Sequence, residues 1–498
     1  MRATSRRVAT TQYLLPASPH GLSVADQLHD AQAVSLPHHF ERPRPNMMST
    51  PSPAPSDAFR RFTLPQLLFI ILVAFSHVYY SYRWILRYNS DSTSPTYSST
   101  PPAFELLKYP VLLALVYFII VALALKRHDH GQVPAISWVF AAQCGVFLAY
   151  ISLRAVLQQL TTQASGATFA VEAKGIFVIP VAIVCPFVWA HLSHWQTKRI
   201  LLLAKSLFYF QLVFTSVEIS SFVFLHRLPA LAYYGGLSRF GGSWDDPNAF
   251  SIYVSMCIIG IFALYSVSTR KRFLLIALLI CTGLMVLTYS FSGWLSCICG
   301  LLAYSWTTRR ATSRAIGLLS LAPPVILALS LSLSSLQRIS FISFVLTAKQ
   351  QSASLHLAAL DNFIFNTLTS GDLSSFLFGA DSIHFEETAY ASFLQNYGFF
   401  SSAWALLLLG TTVTRCLRRA LSKDRRVTEG VRVYYRFVTA CLITFLVGNL
   451  FIPYFTVFPV NLYFWILVAS VWITPVRGTT RFESEYTLLS GTTSATTS

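Results

Sequence analysis

Charge is scarce in this sequence. Asp, Glu, Lys and Arg make up only 11% of its 498 residues, against about 25% in a soluble globular domain. Together with a hydrophobic content of 54%, that shortage excludes an ordinary soluble domain and marks an integral membrane protein. Acidic residues are the scarcest: 20 Asp and Glu face 37 Lys and Arg, a formal net charge of +17. The excess argues against nucleic acid as a partner, because the basic residues form no stripe or recognition module and sit in small clusters between apolar runs. The 8 cysteines all lie in apolar runs or beside a basic loop, which indicates neither a disulfide framework nor a metal site. No Walker, dinucleotide-binding or HExxH pattern occurs, so neither ATP use nor metalloprotease chemistry is supported. Repeats at a fixed period are missing as well.

What the chain does have is a succession of hydrophobic runs. Residues 1–62, rich in Pro, Ser, Ala, His and Arg, read as a disordered extension; with no apolar core before a cleavage site, they are not a signal peptide. Met47-Met48 precedes a more typical membrane-protein start, so the first 46 residues read as an upstream extension. About twelve runs reach the ~20 residues that a spanning helix needs. They lie at 65–82, 107–125, 135–156, 174–192, 200–224, 249–268, 273–289, 291–307, 315–335, 398–415, 433–452 and 457–474. The expected organisation is spans 1–9 over 63–335, a long loop over 336–397, spans 10–12 over 398–475 and a disordered tail over 476–498. The fold class expected is therefore an all-α polytopic membrane protein. The clusters Lys126-Arg127, Lys198-Arg199, Arg270–Arg272, Arg309-Arg310 and Arg415–Arg426 fall on alternate loops, which places both termini inside and the loops 227–248 and 336–397 outside.

The segment 237–250 draws attention first. It places Arg239, Gly241-Gly242, Asp245-Asp246 and Pro247-Asn248 between two apolar runs. Paired glycines allow a tight turn, and Pro247 and Asn248 stand where a helix should begin, with Asp246 as its cap. An arginine presented there can hold a phosphate or carboxylate through two parallel hydrogen bonds. Snorkelling to the membrane interface is the plainer explanation for such an arginine. The two aspartates orient the arginine or cap the helix and do not form half of a metal site. The second outer loop runs for about sixty residues, far beyond the ~12–15 of an ordinary connection. Apolar spacing over Leu355–Phe365 predicts a helix on the membrane surface. Turns follow at Ser370-Gly-Asp372 and Phe378-Gly-Ala-Asp381, and then His384-Phe-Glu-Glu-Thr-Ala-Tyr390.

Taken in order, these features resemble the O-antigen ligase and polymerase superfamily. The resemblance rests on Arg239 with Gly241, Pro247 and Asn248, the Thr/Ser-rich turn Thr288–Gly293 and the long loop. It also rests on a polar-x-x-Tyr segment before Gly398-Phe-Phe and on the final run Phe458–Trp465, covering roughly 190–472. It implies a metal-independent, GT-C-like membrane glycosyltransferase in the bacterial inner membrane, with its active site periplasmic and undecaprenyl-pyrophosphate-linked glycans and membrane lipids as partners. Arg239 matches the family's essential arginine. Phe291 stands where an arginine often follows the serine, and His356 near a second arginine of many relatives. Glu387 stands eleven residues before Gly398, where ligases carry histidine; this favours a polymerase, for O-antigen or exopolysaccharide, over a ligase. The residues implied are Glu387 as base, with Glu386 and His384 beside it, and Arg338, Lys349 and His356 toward phosphate. Trp244 and Tyr390 would stack on sugar. A chain-length-regulating membrane protein is a further partner such a polymerase can have. The rival from another class is a flippase or secondary transporter, which calls for ionisable residues inside the spans; Glu218 is almost the only carboxylate there.

Overall fold

A computed structural model of the chain describes residues 197–225, 239–244, 246–266, 271–308, 373–379, 389–422, 429–451 and 460–472. It also describes Ser354, Ala358, Tyr454 and single helical residues within 67–77 and 140–153. All of these belong to the second of two units into which the chain divides, Arg61–Ser498. Among the described residues the fold is all-helical. The helices are α1 (Thr197–Leu225), α2 (Pro247–Tyr265), α3 (Lys271–Leu287), α4 (Phe291–Thr307), α5 (Leu373–Phe378), α6 (Ala389–Ala420), α7 (Glu429–Gly448) and α8 (Val460–Trp472). Three stretches, Pro247–Tyr265, Ala389–Ala420 and Val431–Gly448, are long and apolar enough to cross a bilayer, which points to a membrane protein. The expected runs 107–125, 174–192 and 315–335 lie outside the described residues.

The centre is α2. Its start is written in the sequence: Asp246 is the N-cap, with Pro247 in the first turn, and its Oδ1 accepts from the Asn248 amide at 2.8 Å. Phe250, Ile252 and Ile259 are fully buried, as expected of a helix that is apolar on all sides. It packs against α3, α4 and α7, and α7 in turn against α4, α6 and α8. Lipid is as apolar as these side chains, so close packing, and not removal from water, holds these helices together. The serines of α2 are satisfied within the helix: Ser251 Oγ donates to Asn248 O at 2.6 Å and Ser255 Oγ to Ser251 O at 2.7 Å. A Cβ added to Gly293 of α4 would strike Ser251 Oγ, so small residues set the close approach of these helices, as in packed membrane bundles.

Two expected boundaries are corrected. Residues 389–397, read as the end of the long loop, are helical and belong to α6. The break falls at Gly398, with φ 77 and ψ 177, where the backbone of Leu377–Gly379 passes so close that any side chain would collide with it. Helix α7 starts at Glu429, ahead of the apolar run at 433, because Glu429 pairs with Arg432 at 3.3 Å and Arg436 at 2.9 Å. The pair with Arg432 is one turn along the helix and that with Arg436 two turns, and such pairs support a helix beyond its apolar stretch. At the turn expected over Phe378-Gly-Ala-Asp381, α5 ends at Phe378 and Gly379 has φ 93; residues 380 and 381 lie outside the described residues. Ser354 and Ala358 are helical; the rest of the expected surface helix lies outside the described residues.

Candidate functional site

The loop entering α2 folds back onto the turn between α3 and α4. The Phe240 amide donates to Leu287 O at 3.2 Å. Gly242 then adopts φ 57, a left-handed conformation that glycine reaches without a Cβ penalty, and opens the short 3-10 turn Gly242–Trp244. Sequence reasoning expected this loop to present Arg239 at the surface. Arg239 is instead only 6% exposed. Its Nε donates to Thr288 O at 3.0 Å and its Nη2 to Asn248 Oδ1 at 2.6 Å. A buried guanidinium is tolerated only when such donors are matched, and here the match comes from elements on both sides of the loop.

Asn248 is the joint. Its Oδ1 also accepts from Ser290 Oγ at 2.8 Å, and Ser290 caps α4 by accepting from the Gly293 amide at 3.1 Å. The N-termini of α2 and α4 therefore converge on Arg239. Each helix start carries partial positive charge, so two of them beside a guanidinium form a region suited to an anion. Thr288 and Ser290 flank Tyr289, whose φ of 47 is a strained value for a bulky residue. That strain sits in the very turn whose carbonyl receives Arg239.

Asp246 and Tyr454 complete the surroundings. Burial raises the Asp246 carboxyl above its ordinary value, against the opposing pull of its hydrogen bond from Asn248 and of nearby Arg239. Tyr454, fully buried, faces Ser292, Asp246 and Arg239, and burial pushes its phenol well up. It follows the end of α7, where Asn449 O accepts the Ala389 amide at 2.9 Å. The Tyr390 hydroxyl donates to Leu446 O at 2.8 Å in the same place. The described end of segment 384–390 is thus fastened to the same end of α7 as the residues facing Arg239.

Of the candidate residues read from sequence, Arg239, Gly241, Asp246 and Asn248 are gathered here. Tyr390 lies one helix end away, with its hydroxyl engaged by α7. Asp245, Arg338, Lys349, His356, His384, Glu386 and Glu387 lie outside the described residues. Among the described residues no group of three His, Cys, Asp or Glu side chains is disposed to hold a metal ion.

Sequence reasoning missed a second layer beneath the loop. His77 is fully buried. Its Nδ1 lies 2.8 Å from Gln211 Nε2 and 3.5 Å from Trp244 Nε1, and its Nε2 meets the Tyr463 hydroxyl. Indole and amide nitrogens only donate, so Nδ1 accepts and the ring proton sits on Nε2, toward Tyr463. Gln211 also donates to Ser243 Oγ and accepts from the Ser243 amide at 3.3 Å. The Trp244 ring stacks on Tyr463 at 5.8 Å and lies tilted against Tyr253 at 4.9 Å. Helices far apart in sequence therefore grip residues 243 and 244, just downstream of Arg239. The available signal was single polar residues, His77 and Gln211, inside apolar runs.

Comparison with protein-family models, characterised proteins and solved structures finds no match to this chain.

Proposed function

We propose that this chain is a twelve-span, GT-C-like membrane glycosyltransferase that joins lipid-pyrophosphate-linked repeat units into a polysaccharide at the periplasmic face of a bacterial inner membrane. The observation that carries the reading is the convergence of Arg239 with the N-termini of α2 and α4, tied through Asn248 and Ser290. Displacing a lipid pyrophosphate from an anomeric carbon puts negative charge on the departing phosphate. A guanidinium and two helix N-termini oppose that charge without reorganising. The acceptor hydroxyl needs a base within hydrogen-bond reach, a role we give to Glu387, with Glu386 and His384 in the same segment. Asp246 and Asn248 hold the arginine and the helix start, Gly241 gives the backbone its approach, and Arg338, Lys349 and His356 assist at phosphate. A side chain fastened as Tyr390 is serves better as an anchor of segment 384–390 than as a sugar platform.

The test is elongation by purified protein supplied with undecaprenyl-pyrophosphate-linked repeat units and neither nucleotide nor divalent metal. A ladder of products is expected, lost in Arg239→Ala; a ladder of normal yield from that variant removes Arg239 from the mechanism. Supplying lipid A core or protein acceptors separately distinguishes a ligase. One observation favours the other class: Glu218 is fully buried within α1, as in ion-coupled carriers. Lipid-glycan flipping or uptake in liposomes without elongation would support that reading.

A further inference from the structure

The end of α6 carries a pair of arginines one turn apart that the reaction does not use. Thr412, Arg415, Cys416 and Arg419 fall on one helical face, and this face meets α7 and α8. The Arg415 guanidinium lies over the Trp472 ring at 4.8 Å and that of Arg419 over the Tyr435 ring at 5.0 Å. Arg419 Nη1 also donates to the Tyr435 hydroxyl. The platforms themselves are braced: Trp472 Nε1 donates to Thr412 Oγ1 at 2.9 Å, and Phe140 stacks on Trp472 at 5.7 Å. Tyr434 OH, beside Tyr435, donates to Ser470 Oγ at 2.6 Å. Both cations are half-buried and held in place by packed aromatic rings. A surface charge retained only for topology needs no such support.

Like charges at i and i+4 repel, and a carboxylate between them would be the ordinary remedy. Among the described residues the carboxylate paired with arginine is Glu429, and it faces Arg432 and Arg436. The adjoining residues 423–428, Lys-Asp-Arg-Arg-Val-Thr, bring more positive than negative charge. Indole and phenol faces soften the repulsion but supply no net negative charge. The counter-charge called for is a compact anion with several acceptor oxygens, reached by two planar donor forks, at the depth where an apolar helix leaves the bilayer.

We propose that Arg415 and Arg419 form a binding site for the phosphate of an anionic phospholipid, framed by Trp472 and Tyr435. The site lies at the basic end of α6, across the bundle from Arg239, and does not depend on the transferase reading.

The test uses the full chain in detergent, titrated with phosphatidylglycerol, phosphatidylcholine or inorganic phosphate and read by native mass spectrometry. Selective retention of phosphatidylglycerol is expected. Arg415→Gln/Arg419→Gln should weaken it roughly 30-fold, the size expected for two arginines at a membrane surface. Lys271→Gln/Arg272→Gln, which removes equal charge at the start of α3, should leave it unchanged. Arg415→Lys/Arg419→Lys keeps the charge and guards against misfolding in the glutamine variant; it should bind with intermediate affinity, since ammonium groups lack the fork. Equal phosphatidylglycerol retention by the wild type and both variants at 415 and 419 overturns the site. Equal losses in the 271/272 control reduce it to net charge and overturn it too. Displacement of lipid by millimolar inorganic phosphate would overturn the assignment to a lipid.

Discussion

Replacing Asn248 with alanine tests the joint on which the site is built. Its Oδ1 receives Arg239 Nη2 at 2.6 Å and Ser290 Oγ at 2.8 Å. A hydrogen bond from a charged donor contributes about 1.5–3 kcal/mol and a neutral one about 1 kcal/mol. The helix start keeps its cap, because Asp246 Oδ1 accepts from the residue-248 backbone amide, so capping energy is not lost. Asn248→Ala should therefore destabilise by about 3 kcal/mol. Arg239→Ala also removes the bond to Thr288 O, so the two single changes overlap in one bond only. A double-mutant cycle read by denaturant titration in mixed micelles should give a coupling of about 1.5–3 kcal/mol between positions 239 and 248. The cycle pairing Asn248→Ala with Ser255→Ala, two turns along α2, should be additive to within about 0.5 kcal/mol. A coupling near zero between 239 and 248 would refute the claim that Asn248 holds the guanidinium.

Other outcomes follow from the same geometry. His77→Phe keeps the ring but strands the Trp244 and Gln211 donors, each buried orphan costing about 1–3 kcal/mol; Tyr463→Phe should cost less, and equal thermal midpoints for the His77 variant and wild type would rule out the second layer. Gly398→Ala sets a Cβ against Leu377 O at a φ of 77, so in place of the gain of about 0.4–1 kcal/mol that Gly→Ala brings at a compatible site it should destabilise by more than that amount; near-wild-type stability would mean that the break in α6 is not fixed by this contact. For Asp246 the folded carboxyl titrates above its unfolded value, so its contribution to stability is greatest at low pH and falls as pH rises from the unfolded value through the raised one. Asp246→Asn should therefore flatten the stability-versus-pH curve in the acidic range and gain on wild type toward neutrality. The opposite slope would mean that Arg239 outweighs burial.

The parts legible in the sequence were those governed by local rules. Asp246, Pro247 and Asn248 announce the start of α2 because capping and the fixed φ of proline act within one turn. The start of α4 at Phe291 agrees with the apolar run 291–307, whereas its Ser290 cap was not read from the sequence. Hydropathy was a poorer guide to helix ends, because it measures the apolar span and not the hydrogen-bonded length. Polar and charged residues carry α7 back to Glu429, and Ala389–Tyr397 is helical although it reads as the end of the long loop. The burial of Arg239 was not legible, since it depends on Thr288 O, a backbone carbonyl 49 residues away. The His77 layer joins residues 134 and 386 positions apart, which no local spacing encodes.

The proposed transferase requires that Arg239 and the converging starts of α2 and α4 receive the pyrophosphate of a lipid-linked glycan. A structure of the full chain with undecaprenyl-pyrophosphate-linked glycan bound tests it most directly. The predicted result is phosphate oxygens within hydrogen-bond reach of the Arg239 guanidinium, with the Glu387 carboxylate facing the same cavity. Phosphate density at another end of the bundle, out of hydrogen-bond reach of Arg239, would contradict it.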